Sequence, residues 1–212
     1  MDKKLVITIE REYGSGGRIT GKTLSAQLGI PYYDDDILKM ASEQSAVGEE
    51  YFRMNDERAG NNILKKIVGG VHNSIGKPNI DENITSPDNL FRFQSEVIRN
   101  LAVQQSCILI GRCSDFVLRS SEFPDFISVF VYCDLPTKMK RVMEVDSVDA
   151  REAMTRIQKI DKTRRDYYKY YTGDEWSDMT HYDCPVNTTD ITLDQAAELI
   201  KDYIRMRGYD IP

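Results

Sequence analysis

A short apolar run, Leu5-Val6-Ile7-Thr8-Ile9, is followed within five residues by the cluster Gly14-Ser15-Gly16-Gly17, and this pairing constrains the fold more than any other segment. The run is short and β-branched, the pattern of a buried strand. Beyond the glycines, Ile19, Leu24, Ala26 and Leu28 give a helical pattern that Gly29 ends. Strand, glycine turn and helix in that order open a parallel α/β sheet. Glycines at such a turn let main-chain N–H groups face an anion at the positive end of the helix. The alternative is a glycine-rich turn without a ligand.

Two registers compete for that loop. The spacing G-x-x-x-x-G-K-[ST] is met literally by Gly16-Gly17-Arg18-Ile19-Thr20-Gly21-Lys22-Thr23. A loop attached directly to the strand instead spans Arg11 to Arg18. The literal match leaves five residues between Glu10 and Gly16 and starts the helix near Gly21, with little more than two turns before Gly29. The second register is favoured. It buries Lys22's position within the helix as a solvated lysine, and it sets Arg18 in the first turn beside the anion. Gly14, Ser15, Gly16, Gly17, Arg18, Ile19 and Thr20 are then the candidate phosphate-binding residues.

Further strands are expected at Cys107–Ile110 and Ile127–Tyr132, with short extended pieces at 30–34 and 182–188. Helices are expected from Asp36 to about Val71, after Thr85-Ser86-Pro87-Asp88, after Asp134-Leu135-Pro136, over 149–171 as one or two pieces, and from Leu193 to Met206. Strands alternating with helices imply a mostly parallel sheet covered on both faces. The strandless stretches 36–90 and 145–176 read as two elements inserted at one end of it. Asp35 and Asp36 read as an N-cap and a first-turn acid.

Lys and Arg number 28 against 34 Asp and Glu, a net charge of −6. Nucleic acid is held by an excess of basic residues, so a nucleic-acid partner is not expected, whereas a small phosphorylated ligand needs only a local cluster. No run of 18 apolar residues exists, and no membrane partner is expected. The start MDKKLVITIERE lacks an apolar secretory stretch, and no cysteine pair is spaced C-x-x-C, so a cytoplasmic location is expected. His181 and Cys184 lack a matching second ligand pair, and His72 stands apart, so the spacing does not describe a zinc site.

Four segments together resemble the cytidylate kinase-like family, a branch of the P-loop nucleoside monophosphate kinases. They are Ile7–Arg18, Leu28-Gly29-Ile30-Pro31-Tyr32-Tyr33-Asp34, Ile108-Leu109-Ile110-Gly111-Arg112-Cys113, and Phe123-Pro124-Asp125 followed by strand 127–132 and Lys140-Arg141. The likeness runs from residue 5 to about 200. It implies a P-loop NTPase-like three-layer α/β/α fold in one kinase-like domain spanning 1–212. Its core would cover about 1–35, 95–148 and 177–212, with a helical acceptor-side insertion over about 36–94 and a lid over about 149–176. It implies ATP with Mg2+ as donor and a nucleoside monophosphate or related small molecule as acceptor. The chain departs from true cytidylate kinases in two places: Gly17-Arg18 stands where a loop lysine is carried, and Cys113 where an aspartate follows the Gly-Arg pair.

The resemblance also distributes roles. Arg112, at a strand end, would clamp an acceptor phosphate with its planar fork, with a surface arginine as the alternative. Asp34 would orient an acceptor hydroxyl or a metal-bound water. Arg92 would reach the acceptor phosphate or lie on a solvated helix face. Residues 151–165 carry six basic side chains in fifteen and resemble the arginine-bearing lid. Arg156 and Arg164 would close over the phosphates with Arg165 beside them, and Asp161, three before Arg164, would hold it. A solvated charged helix is the alternative. Tyr167, Tyr168, Tyr170 and Tyr171 read as core or hinge packing. Asn187, after the last extended piece, falls where the family places part of the adenine pocket.

Overall fold

The computed structural model describes residues 4–54, 76–78, 83–121 and 123–212. Five strands form one parallel sheet: β1 (Val6–Arg11), β2 (Tyr32–Tyr33), β3 (Cys107–Ile110), β4 (Ile127–Tyr132) and β5 (Cys184–Asn187), in the order β2-β3-β1-β4-β5. The helices are α1 (Gly17–Leu28), α2 (Asp36–Ser45), α3 (Pro87–Gln104), α4 (Ser114–Ser120), α5 (Leu135–Asp146), α6 (Ala150–Thr172) and α7 (Leu193–Met206). Residues 49–54 are also helical.

Side chains alternate across the strands, as a period of two requires. Ile7, Ile9, Ile108, Ile110, Val129 and Val131 pack with Leu24 of α1 and Ala197, Ile200 and Ile204 of α7. Val6, Cys107, Leu109 and Phe130 face the other way, onto α2, α3, α4 and the end of α6. The chain therefore leaves β1 toward one face and β3 toward the other. The crevice beyond the C-terminal ends of these neighbouring strands is a topological switch point, where open α/β sheets bind their ligands.

Local chemistry ends the helices where the sequence suggests. Ser86 accepts from the Asn89 amide ahead of Pro87, Asp134 from the Thr137 amide, and Thr192 forms a capping box with Gln195. One element differs from the expectation, and the charged stretch takes the first of its two expected forms. Helix α4 follows β3, a helix absent from those expected from the sequence. The charged stretch is one helix of 23 residues, capped by Asp149. Its last turns do not stand apart from the sheet: Tyr167, Tyr168 and Tyr171 belong to the core, and the Tyr171 ring stacks on Phe91 at 4.0 Å. The helical pattern expected beyond residue 54, and His72, lie outside the described residues. All four cysteines are buried free thiols, and no helix among the described residues is long and apolar enough to cross a membrane.

Candidate active site

The strand-attached register is the one the chain adopts. β1 ends at Arg11, and α1 begins at Gly17, four residues before the start implied by the literal spacing. Lys22 lies inside α1, exposed, with its Nζ 6.0 Å from the Tyr32 ring centre. Gly16 holds the N-cap in the left-handed region at φ 87, and a Cβ there would run into the Leu193 side chain, so glycine is required twice over. The N-cap residue offers no capping side chain, and only Ser15 Oγ, at 3.4 Å from the Gly17 amide, reaches this end of α1, an N-terminus suited to an anion.

The loop is tied down from behind. The Ser15 carbonyl accepts from Thr188 Oγ1 at 2.7 Å and from Arg141 Nη1 at 2.9 Å, and Arg141 Nη2 donates to the Thr188 carbonyl. The Tyr13 amide donates to Asp161 Oδ1 at 2.6 Å. Lys138 Nζ bridges Glu12 Oε2 at 2.8 Å and Asp161 Oδ2 at 3.2 Å. A loop held at both ends loses little entropy when it closes on phosphate.

Arginines from four places converge on two acids beyond β2. Arg18 Nε lies 2.6 Å from Asp34 Oδ2, and Arg11 Nη2 3.6 Å from Asp34 Oδ1. Asp35 takes Arg112 at 3.3 Å, Arg18 at 3.8 Å and Arg53 at 4.0 Å. Asp35 does occupy the N-cap position of α2, but its side chain makes no capping bond. Asp35 has helical dihedrals, φ −69 and ψ −21, not the extended backbone from which a capping side chain reaches the first-turn amides, and its carboxylate meets the arginines instead. Arg112 itself stands in a strained turn: Gly111, Arg112 and Cys113 are left-handed in succession, at φ 67, 59 and 54. Such strain outside glycine costs of order 1–3 kcal/mol per residue and collects at functional sites.

Helix α6 supplies a further guanidinium. Arg164 Nη1 donates to the Arg11 carbonyl at 2.9 Å and lies 5.8 Å from the Tyr13 ring centre. Burial, with Arg11 nearby, pulls its pKa down to about 9, so it stays charged at neutral pH and gains from an added anion. Arg156 sits farther out, bonded to Glu152 and, at 3.0 Å, to Asp146, which also accepts from Tyr13 Oη at 2.6 Å. The Asp161 carboxylate is not on Arg164 but on the loop amide and Lys138, which present direct donors to both its oxygens. Arg165 and Asn187 are exposed, and Asn187 bonds Thr189. Arg92, on α3, is partly buried beside Gly76. Sequence reasoning missed Arg11, Arg53, Lys138 and Arg141. A charged residue ending an otherwise apolar strand was the available signal for Arg11, while the others carry no local signature.

Beneath β1 lies a buried acidic pair. Glu10 accepts from Trp176 Nε1 at 3.0 Å, and burial, reinforced by the charge of Asp115, pushes its pKa up to about 7. Asp115 accepts from Tyr168 Oη at 2.7 Å and pairs with Arg119 at 3.3 Å, and burial raises its pKa too. Asp115 faces this interior network and so does not replace the aspartate absent at Cys113, itself buried.

The chain is similar to several known proteins. The family model described as the cytidylate kinase-like family matches residues 6–190. A cytidylate kinase of Methanopyrus kandleri (strain AV19) is 24% identical over 205 residues, covering 93% of this chain and 91% of its own. An uncharacterized protein from Eubacterium ventriosum ATCC 27560 superposes with a TM-score of 0.68 at 26% identity, over 95% of this chain and 99% of its own. Shikimate kinase from Bacteroides thetaiotaomicron shares the fold, with a TM-score of 0.50 at 12% identity over 95% and 98%. The chain belongs to the cytidylate kinase-like family, with the α/β fold of P-loop kinases.

Proposed function

We propose that this member of the cytidylate kinase-like family transfers the terminal phosphoryl group of ATP to a nucleoside monophosphate or a related small acceptor. The observation that carries this reading is the convergence of Arg18 and Arg112 on Asp34 and Asp35 beside an uncapped helix N-terminus, at the switch point of a parallel sheet. Phosphoryl transfer asks little covalent work of the protein and much positioning and positive charge. In the step, an acceptor phosphate oxygen bonds the terminal phosphorus as the bond to the bridging oxygen breaks. That oxygen keeps the electron pair and leaves as the end of ADP.

The loop amides of Gly14, Ser15, Gly16 and Gly17 and the first turn of α1, with Arg18, Ile19 and Thr20, hold the donor phosphates. Asn187, at the end of β5, borders the adenine. Arg112 clamps the acceptor phosphate, Asp34 orients an acceptor hydroxyl, and Arg92 approaches from α3. Arg18, Arg156 and Arg164 neutralise charge as it shifts between the nucleotides, with Arg165 at the rim. Asp161 serves by holding the Tyr13 amide and Lys138. The half-exposed Asp35 and buried Asp34 suit magnesium bound mainly through phosphate oxygens and water. Magnesium, when bound with ATP, screens the phosphate oxygens from the incoming nucleophile.

One specific feature favours a second reading, a nucleotide-binding regulatory protein without transfer: Gly17 stands where a loop lysine is expected. Thermal stabilisation by ATP and magnesium tests nucleotide binding. Phosphate transfer across a panel of nucleoside monophosphates and small alcohol acceptors then separates a kinase from a sensor. Stabilisation with no transfer to any acceptor leaves the sensor, and no stabilisation removes both.

A further inference from the structure

Resting on the phosphoryl-transfer reading above, we propose that Arg11, at the end of β1, supplies the cation that the phosphate loop lacks at Gly17. The steric facts come first. A Cβ built on Gly17 would lie 2.6 Å from Arg11 Cβ, 3.2 Å from Arg11 Cγ and 3.1 Å from Val131 Cβ. Two of these atoms are Cβ atoms fixed by strand backbone, so they cannot swing aside. A side chain at position 17, lysine included, would force β1 or α1 to shift, and the Arg11 stem adds to the obstruction. The volume next to the helix start is filled by the arginine stem instead.

That stem leads its charge to the correct place. Arg11 crosses the crevice between β1 and β3, and its Nη1 occupies the space a Cβ on Gly111 would need. The guanidinium is largely buried and has Asp34 Oδ1 at 3.6 Å, beyond the length of a direct charge-assisted hydrogen bond. A desolvated cation paired so loosely gains more than an exposed one when an anion arrives. Arg18 is differently placed. Its side chain is 54% exposed and its Nε is already engaged by Asp34 at 2.6 Å. The Arg11 carbonyl is itself anchored by Arg164, so loop, strand end and α6 meet at one residue.

A purely structural Arg11, linking the ends of β1 and β3 through Asp34, makes different predictions. Arg11→Met keeps the stem against Gly17 and Val131 and removes the charge, and Arg11→Lys restores a charge. With the full chain, MgATP and the best acceptor of the panel, Arg11→Met is expected to lower kcat by roughly 100- to 1,000-fold while the melting temperature stays within a few degrees of wild type. Arg11→Lys is expected to recover at least tenfold of that loss. Gly17→Lys is expected to destabilise the fold and gain no rate. Wild-type kcat in a folded Arg11→Met, or a faster Gly17→Lys, overturns the proposal and leaves the kinase reading standing. If Arg11→Met does not fold, Arg11→Gln decides by the same criterion against Arg11→Lys: equal rates in the two overturn it. A wild-type chain that binds ATP but transfers to no acceptor overturns the kinase reading, and the Arg11 proposal falls with it.

Discussion

The guanidinium of Arg18 and the carboxylate of Asp34 are joined across 2.6 Å, from the first turn of the helix after β1 to the end of β2. This pair links the glycine loop to the end of β2 across the crevice. Tyr32 Oη also donates to Asp34, at 3.2 Å, and Asp34 is 7% exposed. The carboxylate thus holds Arg18 directly and Arg11 only loosely, at 3.6 Å.

Replacing Asp34 by Asn should free two arginines and remove the charge that orders them. Simple anions such as pyrophosphate should then inhibit more strongly, because two cations lose their internal counter-ion. Productive acceptor use should fall. A charge-assisted bond is worth about 1.5–3 kcal/mol, so kcat/KM should drop by roughly 10- to 150-fold. Steady-state kinetics with and without pyrophosphate check both directions, and unchanged values would remove Asp34 from the site.

Arg112→Ala should act on the acceptor and not the donor. Its contact runs to Asp35 beyond β2, where the proposed function sets the acceptor. Acceptor kcat/KM should fall by roughly 10- to 150-fold on the same scale, while ATP affinity from calorimetry stays within about twofold. A matching loss in ATP affinity would mean that the arginine serves the donor.

Stability should fall as pH rises from about 4.5 to 7, through Glu10. Its folded pKa of about 7 exceeds the ordinary 4.5, so within that window the folded chain binds more protons than the unfolded one. Across that window the unfolded chain ionises this carboxyl while the folded chain keeps it protonated, which lowers stability by up to about 1.4 kcal/mol per pH unit and levels off above about 7. Urea unfolding at several pH values should show the decline, and Glu10→Gln should flatten it. A wild-type slope in Glu10→Gln would place the titration on another group.

Helix α6 should divide in hydrogen exchange. The buried apolar residues of its first half, Ala153 and Ile157, join a small cluster with Val142, whereas Tyr167, Tyr168 and Tyr171 lie in the main core. Amides of 150–163 should exchange faster without ligand and gain protection with a bisubstrate mimic. Amides of 164–172 should be protected in both states. Uniform protection throughout would remove the lid role from the first half, and wild-type kcat in an Arg156→Ala, Arg164→Ala double variant would remove it from both arginines.

The strand-to-helix opening, the sheet strands at 107–110 and 127–132, the last helix and the register of the loop were legible in the sequence. These follow from periodicity, glycine placement and caps, which act over a few neighbouring residues. Family membership was legible too, because its motifs are short and contiguous. Helix α4 was not: seven residues between a strained turn and a loop have too little periodicity to announce themselves. Nor could the sequence reveal that Asp35 meets Arg112, Arg53 and Arg18, or that Asp161 serves the Tyr13 amide, 148 positions away. Those choices are competitions between partners, settled by which donors the packed sheet and helices bring within 3–4 Å. The same holds for Gly17 and Arg11. Read in line they are a missing lysine and a strand end. Folded, one takes the space the other leaves, because β1 and the start of α1 pass so close that only one side chain fits between them.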